Sequence, residues 1–262
     1  MVFLDDLSLL FHLRSQKYCM NEVFQSFENI FTAKKKFARF LDIEVSSHEK
    51  FKKIISDKAL LLLKNRDPKG RRIIIERPAK LNTEIYSETE YTSFKVFVTL
   101  MMMFRDEESQ IAGVHVIVDF ADIAIKHFYS VSTAIEMMKM LNHIKVARVA
   151  GIIVINLPPY ARYILDAALV VASEKLKKRF IVLKDCKDLK KFFDLETLPK
   201  EYGGKCDLEE SIEHFKTFFE THKDCVQNFI DFQVDWSKVP ESELANDGAV
   251  ENIGSFRRLE VD

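Results

Sequence analysis

What most constrains this chain is a change of period that repeats along it. Apolar, largely β-branched runs at Arg72–Arg77, Val114–Phe120, Gly151–Asn156 and Arg179–Leu183 alternate with stretches whose apolar residues recur every three or four positions. Those stretches are about Ser87–Arg105 (Tyr91, Phe94, Val98, Met101, Met102), Ser132–Leu141 and Tyr160–Ala172. Runs that stay apolar throughout belong to strands buried on both faces, and strands separated by helices pair in parallel. The pattern predicts an α/β fold, a mainly parallel β-sheet covered by helices. Breakers agree with it: Asp67-Pro68-Lys69-Gly70 precedes the first run, Pro78 ends it, and Pro158-Pro159 stops the third.

Before the first strand lie some 60 residues with helical spacing (Leu7, Leu10, Phe11, Arg14, then Phe24, Phe27, Ile30, Phe31, Phe37, Phe40), with Lys34, Lys35 and Lys36 on an outward turn. Three parts are expected: a helical N-terminal cap at 1–60, which reads as shortened because its first helix starts almost at once; a core at 61–206; and a C-terminal part at 207–262. That last part begins with a helix at about Leu208–Phe229. It continues as an aperiodic acidic tail with the only tryptophan, Trp236, expected to lie over the body as an irregular strap.

Composition excludes several classes. With 262 residues, 47% hydrophobic and 22 of them Phe, the chain can fill a sizeable core, and 30% charged residues argue against a membrane-inserted or disordered chain. No segment reaches the roughly 18 apolar residues of a membrane span, and Asp5 and Asp6 interrupt the N-terminal apolar run, so a cytoplasmic location is expected. Cys19, Cys186, Cys206 and Cys225 form no C-x-x-C pair and read as free thiols. The net charge of -1 hides an asymmetry: from residue 206 onward 14 acidic residues face 5 basic ones, while residues 1–205 carry 34 basic against 26 acidic. A body of that modest charge is not a dedicated nucleic-acid binder.

Catalytic motifs are absent. The turn after Val114–Asp119 (Phe120-Ala121-Asp122-Ile123) has no glycines to admit a pyrophosphate, and neither G-x-x-x-x-G-K-[ST] nor G-x-S-x-G occurs. Asp119 and Asp122 end a strand, where a carboxylate pair could hold Mg²⁺ or act as acid and base; the plainer reading is that they cap the next helix and pair with Lys126. His214 and His222, eight apart on one helix with Cys225 near, are about 12 Å apart at 1.5 Å per residue, too far to close a metal site, so no metal is expected. His115, inside an apolar strand, reads as a hydrogen-bonded core or sheet-face histidine.

One motif changes what can be expected. Leu198–Lys205 (L-P-K-E-Y-G-G-K) resembles the L-P-x-E-Y-G-G that closes the CRAL-TRIO lipid-binding domain of the retinaldehyde-binding and α-tocopherol transfer proteins. In the same order, Asp5–Tyr18 (D-D-L-S-L-L-F-H-L-R-S-Q-K-Y) is similar to that family's D-D-x-x-L-L-R-F-L-R-A-R-K-F, and Asp67–Pro78 to its D-x-x-G-R-P strand. Gly254–Leu259 resembles the ending of the insect branch. The resemblance implies a non-enzymatic protein with no cofactor: a helical cap and a sheet-floored apolar pocket that holds one small hydrophobic lipid under a mobile gate helix.

By that resemblance the pocket wall falls on Phe94, Val98, Ile123, Ile125, Met137, Met140, Leu141 and Ile152, a set that would equally suit a packed core. The gate falls on Tyr160, Tyr163, Ile164, Ala167, Ala168 and Val171. The gate segment has too many apolar positions for one buried stripe, while Arg162 and Asp166 deny a membrane span. Where retinoid-binding members carry Tyr and Glu this chain has Val96 and Val118, which counts against retinaldehyde. Eight basic residues against two acidic ones at Lys175–Lys191 read as a solvated face or, by the resemblance, as part of a phosphatidylinositol bisphosphate groove with Arg148, Lys175, Lys178 and Arg179. Two groove positions, Gln16 and Ala150, have lost their charge, and the family's Lys-Pro-Phe after the gate is Val170-Val171-Ala172. The expected protein is a monomeric lipid carrier, transiently peripheral on anionic membranes; a recruitment or sensing module that does not transfer lipid is the alternative.

Overall fold

A computed structural model describes residues 5–127, 130–144 and 148–238. Its N-terminal part is four helices, α1 (Asp6–Ser15), α2 (Met20–Lys36), α3 (Ala38–Leu41) and α4 (Ser47–Ser56). The chain then alternates as β1 (Leu60–Leu62), β2 (Arg72–Glu76), α5 (Glu88–Arg105), α6 (Glu107–Ala112), β3 (Val114–Asp119), α7 (Val131–Ile144) and β4 (Val149–Ile155). It ends with α8 (Pro159–Val170), α9 (Glu174–Lys177), β5 (Phe180–Val182) and α10 (Leu208–Asp231). Local chemistry sets the ends. Asp5 caps α1 by accepting from the Ser8 amide, and α5 opens with a capping box in which Ser87 and Glu90 satisfy each other's backbone amides.

The sheet runs β1-β2-β3-β4-β5, with β1 antiparallel to β2 and the other three pairings parallel. Paired residues share a face, so two rows cross the sheet on one side: Ile74, Val116, Ile152, Phe180, and Glu76, Val118, Val154, Val182. Helix α5 lies on that side, because its Lys95 meets Glu76, and so do α7 and α8, which cluster with Phe180. The opposite face is closed by the segment between β5 and α10. There Phe193 packs edge-on against His115, and the Tyr202 hydroxyl reaches Asp119.

The expected helices and strands appear close to where the periodicity puts them, and three details differ. Leu60–Leu62, at the boundary between the expected cap (1–60) and core (61–206), is a strand that the periodicity does not predict; its backbone pairs with Ile74–Glu76. Phe24 faces solvent. Lys34 does not point outward but folds onto the end of α10, donating to the carbonyl oxygens of Phe229 and Phe232, and burial lowers its pKa. Lys35 lies 5.5 Å from the ring of Trp236, so the described start of the tail, to residue 238, straps onto α2. The rest of the acidic tail, with Gly254–Leu259, lies outside the described residues.

One core joins these parts. Phe51, Phe94, Phe97, Phe215 and Phe219, all fully buried, pack ring against ring between α4, α5 and α10, each contributing roughly 1.5–3 kcal/mol by burial. The cluster continues without a break from Phe11 in α1 through Ile153 in β4 to Ile230.

Candidate functional site

Two of the motif segments turn out to be staples. In L-P-K-E-Y-G-G, Leu198 is fully buried, Glu201 pairs with buried Arg77, and the Tyr202 hydroxyl donates to Asp119 Oδ2 at 2.8 Å. A side chain on Gly204 would put Cβ 1.9 Å from the Leu198 carbonyl oxygen, so only glycine lets the turn close. Asp67, at the head of D-P-K-G-R, accepts from the amides of Lys69 and Arg71 and pairs with the Arg71 guanidinium at 2.6 Å. Beside it Arg72 and Arg66 converge on buried Asp106. Burial opposes ionisation of that carboxyl, but Arg72, Ser109 and Arg66 overcome it and hold its pKa below the usual range.

The candidate acid–base residues are accounted for in the same way. Asp119 does not cap a helix or reach Lys126: besides Tyr202 it accepts from the Asn156 side-chain amide at 2.7 Å and from the Ala121 amide. Asp122 is exposed, in a left-handed turn at φ 59°. His214 lies against Arg72, and His222 against Phe218. His115 is buried on the sheet face, but neither ring nitrogen has a hydrogen-bonding protein partner; Gly151 gives it room, since a Cβ there would lie 3.0 Å from Nδ1. Among the described residues no cluster of His, Cys, Asp and Glu could hold a metal ion.

What stands out chemically lies on the helix-covered face of the sheet. β3 is the central strand, yet Val116 and Val118 remain partly exposed, whereas Ile74, Ile152 and Val154 beside them are buried. This partly exposed central pair marks a strip of the sheet, the lane, that α5 on one flank and α7 with α8 on the other do not cover completely. A second, smaller hydrophobic cluster (Ala134, Met138, Ala168, Ala172, with Ile164, Leu176 and Phe180 packed on it) ties α7, α8 and α9 together apart from the main core. Its small residues let the helices approach closely.

The chain matches the CRAL/TRIO domain model over residues 57–204, more than half its length. It belongs to the CRAL/TRIO family. It is 25% identical to the human "Alpha-tocopherol transfer protein-like" over 77% of this chain and 59% of that protein, and 24% identical to its mouse counterpart over 86% and 66%. Xenopus laevis Clavesin-1 is 24% identical over 76% and 61%. The chain thus spans less than two thirds of these curated relatives, all from vertebrates. The crystal structure of Sfh5 superposes with a TM-score of 0.54 at 13% identity, covering 79% of this chain and 74% of that one, which establishes the shared fold.

Within this CRAL/TRIO chain the positions drawn from the family separate. Ile152 lies on the lane face of β4, and Met137, Met140 and Leu141 on α7. Phe94 and Val98 are instead sealed in the core, the Phe94 ring between Phe51 and Phe215. Ile125 is 80% exposed on the loop after β3, whose Ile123 carbonyl accepts from the Tyr160 hydroxyl at 3.1 Å. On α8, Ala168 is buried and Ile164, Ala167 and Val171 are half-buried, while Tyr163 and Val170 are 73% and 75% exposed. Helix α8 therefore carries an apolar face outward as well as inward.

Arg148 and Arg179 stand just before neighbouring parallel strands, β4 and β5, with Lys175 and Lys178 on and after α9. Lys175, Lys178 and Arg179 lie on the stretch between α8 and β5. Arg148 donates to the Ile111 carbonyl at 2.8 Å, and Lys175 and Lys178 are exposed. One feature escaped the sequence reading: Glu76 and Lys95 form a 2.7 Å ion pair on the lane face. Its signal was a lone acid ending the apolar run Arg72–Glu76 and a lone lysine inside apolar α5.

Proposed function

We propose that this chain is a non-enzymatic carrier that takes a small hydrophobic lipid, tocopherol-like or another isoprenoid, into the lane between α5 and α7–α8 and exchanges it at an anionic membrane. The observation that carries the reading is the partly exposed pair Val116 and Val118 on a central strand, where a packed core would hide them. Outward Tyr163 and Val170 give α8 an apolar surface for the bilayer. The relatives' name, alpha-tocopherol transfer protein-like, fits this class of cargo. Arg148, Lys175, Lys178 and Arg179 draw the gate to anionic lipid at about 1 kcal/mol per basic residue near the surface, and a phosphatidylinositol bisphosphate headgroup meets the same charges. Headgroup binding beside α8 favours its open position, a coupling by differential affinity.

The test is lipid transfer between vesicles with and without phosphatidylinositol bisphosphate, for the native chain and for Lys175→Ala with Arg179→Ala, together with mass spectrometry of lipid extracted from the purified protein. The carrier copurifies with lipid, and the variant loses phosphoinositide stimulation while keeping basal transfer. Unchanged stimulation removes the headgroup step. Lipid-dependent recruitment without transfer is favoured by the tight Ala134–Met138–Ala168–Ala172 packing under α8, and membrane binding without any transfer would establish it.

A further inference from the structure

We propose that Lys95 and Glu76 form a specificity-determining polar site in the lane, selecting a lipid whose terminus both donates and accepts a hydrogen bond: a hydroxyl. This rests on the carrier reading. Glu76 ends β2 in register with Val118, so its carboxylate stands over the uncovered part of the sheet, and Lys95 reaches it from α5 at 2.7 Å. Each side chain keeps 12% exposure, so the pair is not fully sealed. The sheet positions in register beside Glu76, Val118 and then Val154, are apolar. The nearby hydroxyls are committed elsewhere: Tyr91 donates to the Ala59 carbonyl, Thr92 to Glu88 and Thr99 to Lys95 backbone oxygens. The Tyr91 ring lies 5.3 Å from the ammonium and steadies it.

A nearly buried ion pair adds little stability over well-packed apolar residues of the same volume, so stability alone does not account for it. As a recognition element it has a definite preference. The pair is neutral overall and presents ammonium donors beside carboxylate acceptors. A hydroxyl placed beside the pair accepts from Lys95 and donates to Glu76, with no charge added. A carboxylate terminus would bring a second negative charge against Glu76 in a low-dielectric wall. A hydrocarbon terminus would strip water from the pair and return no hydrogen bond.

The experiment loads the delipidated full chain from phosphatidylcholine vesicles containing equal amounts of 1-octadecanol, octadecanoate and octadecane, and quantifies protein-bound lipid by mass spectrometry. Octadecanol is expected to load about tenfold over each of the others, as one or two retained hydrogen bonds imply. Replacing the pair together, Glu76→Leu with Lys95→Leu, is expected to bring the three loadings within about twofold of one another. Equal loading by the native chain, or a preference that survives the double variant, overturns the polar site and leaves the carrier reading standing. No loading of any probe overturns the carrier reading and the site with it. Should the double variant not fold, the native ranking alone decides, and Glu76→Gln with Lys95→Met repeats the comparison with side-chain shape kept.

Discussion

Acid should loosen this protein well before its carboxylates protonate, because two histidines are buried neutral. His12 is sealed between α1 and α2, its ring stacked at 3.9 Å on Phe27 and its Nδ1 2.8 Å from the Ser26 hydroxyl; burial pushes its pKa down to about 4. His115 is pushed to about 4 as well, first by burial and then by Arg71, with Asp67 opposing. In the unfolded chain both take up a proton near pH 6.5, while the folded chain resists until about pH 4. Stability is therefore complete above pH 6.5 and falls as the pH drops from 6.5 to 4, by about 3 kcal/mol per histidine. Against a typical total of about 5–15 kcal/mol, the two together are decisive. His48, His214 and His222, also lowered by burial, act in the same direction. The assay is urea unfolding followed by circular dichroism at half-unit steps from pH 7 to 4.5. His12→Phe with Ser26→Ala fills the site without a titratable group, and should flatten the stability slope below pH 6 by up to about 1.4 kcal/mol per pH unit. An unchanged slope would refute the assignment of that proton uptake to His12.

Two further perturbations test the staple and the charge asymmetry. Gly204→Ala should destabilise by more than about 3 kcal/mol, since its Cβ meets backbone, whereas Gly203→Ala, with nothing within 4 Å but φ at +77°, should cost only about 1–2 kcal/mol; equal losses in thermal unfolding would show that the close approach to Leu198 does not matter. Removing residues 239–262, which hold six acidic and two basic side chains, should tighten salt-sensitive binding to anionic vesicles, and equal or weaker binding in co-sedimentation would mean that the tail does not screen the body.

The architecture was legible because parallel strands are buried on both faces and so announce themselves as unbroken apolar runs. Arg72–Glu76 and Glu88–Arg105 fall within a residue of the positions their periods predict. β1 was not legible: Leu60–Leu62 continues the apolar residues of α4, and only pairing with β2 makes it a strand. Lys34 looked outward because its neighbours are lysines, but its direction is fixed by the carbonyls ending α10, almost 200 residues away in sequence. The site was legible only in outline. Helix α8 stands out by its excess of apolar positions. Phe94 and Val98, expected on the wall, are as apolar as Ile152 on the lane face of β4 and differ from it only in the side of α5 that meets α4 and α10. Val116 and Val118 likewise read as ordinary β-strand valines; their exposure depends on the gap between helices, which no local pattern encodes.

This division has a physical cause. A recognisable motif needs residues whose geometry tolerates no substitute, and such residues occur where backbone turns close or buried charges are paired: Gly204 under Leu198, Asp67 holding two amides, Asp106 between two arginines, Asp119 under Tyr202. Those constraints hold the loops at both ends of the sheet, so they identify the fold whatever lies in the lane. On the carrier reading, ligand choice would fall to positions where many side chains would fold equally well. On that reading Val118, partly exposed on β3, is such a position. Glu76 and Lys95 lie between the two kinds: packed enough to be ordered and exposed enough to meet a ligand. In a chain recognised by its staples, the cargo must be sought at the residues that the motifs leave free.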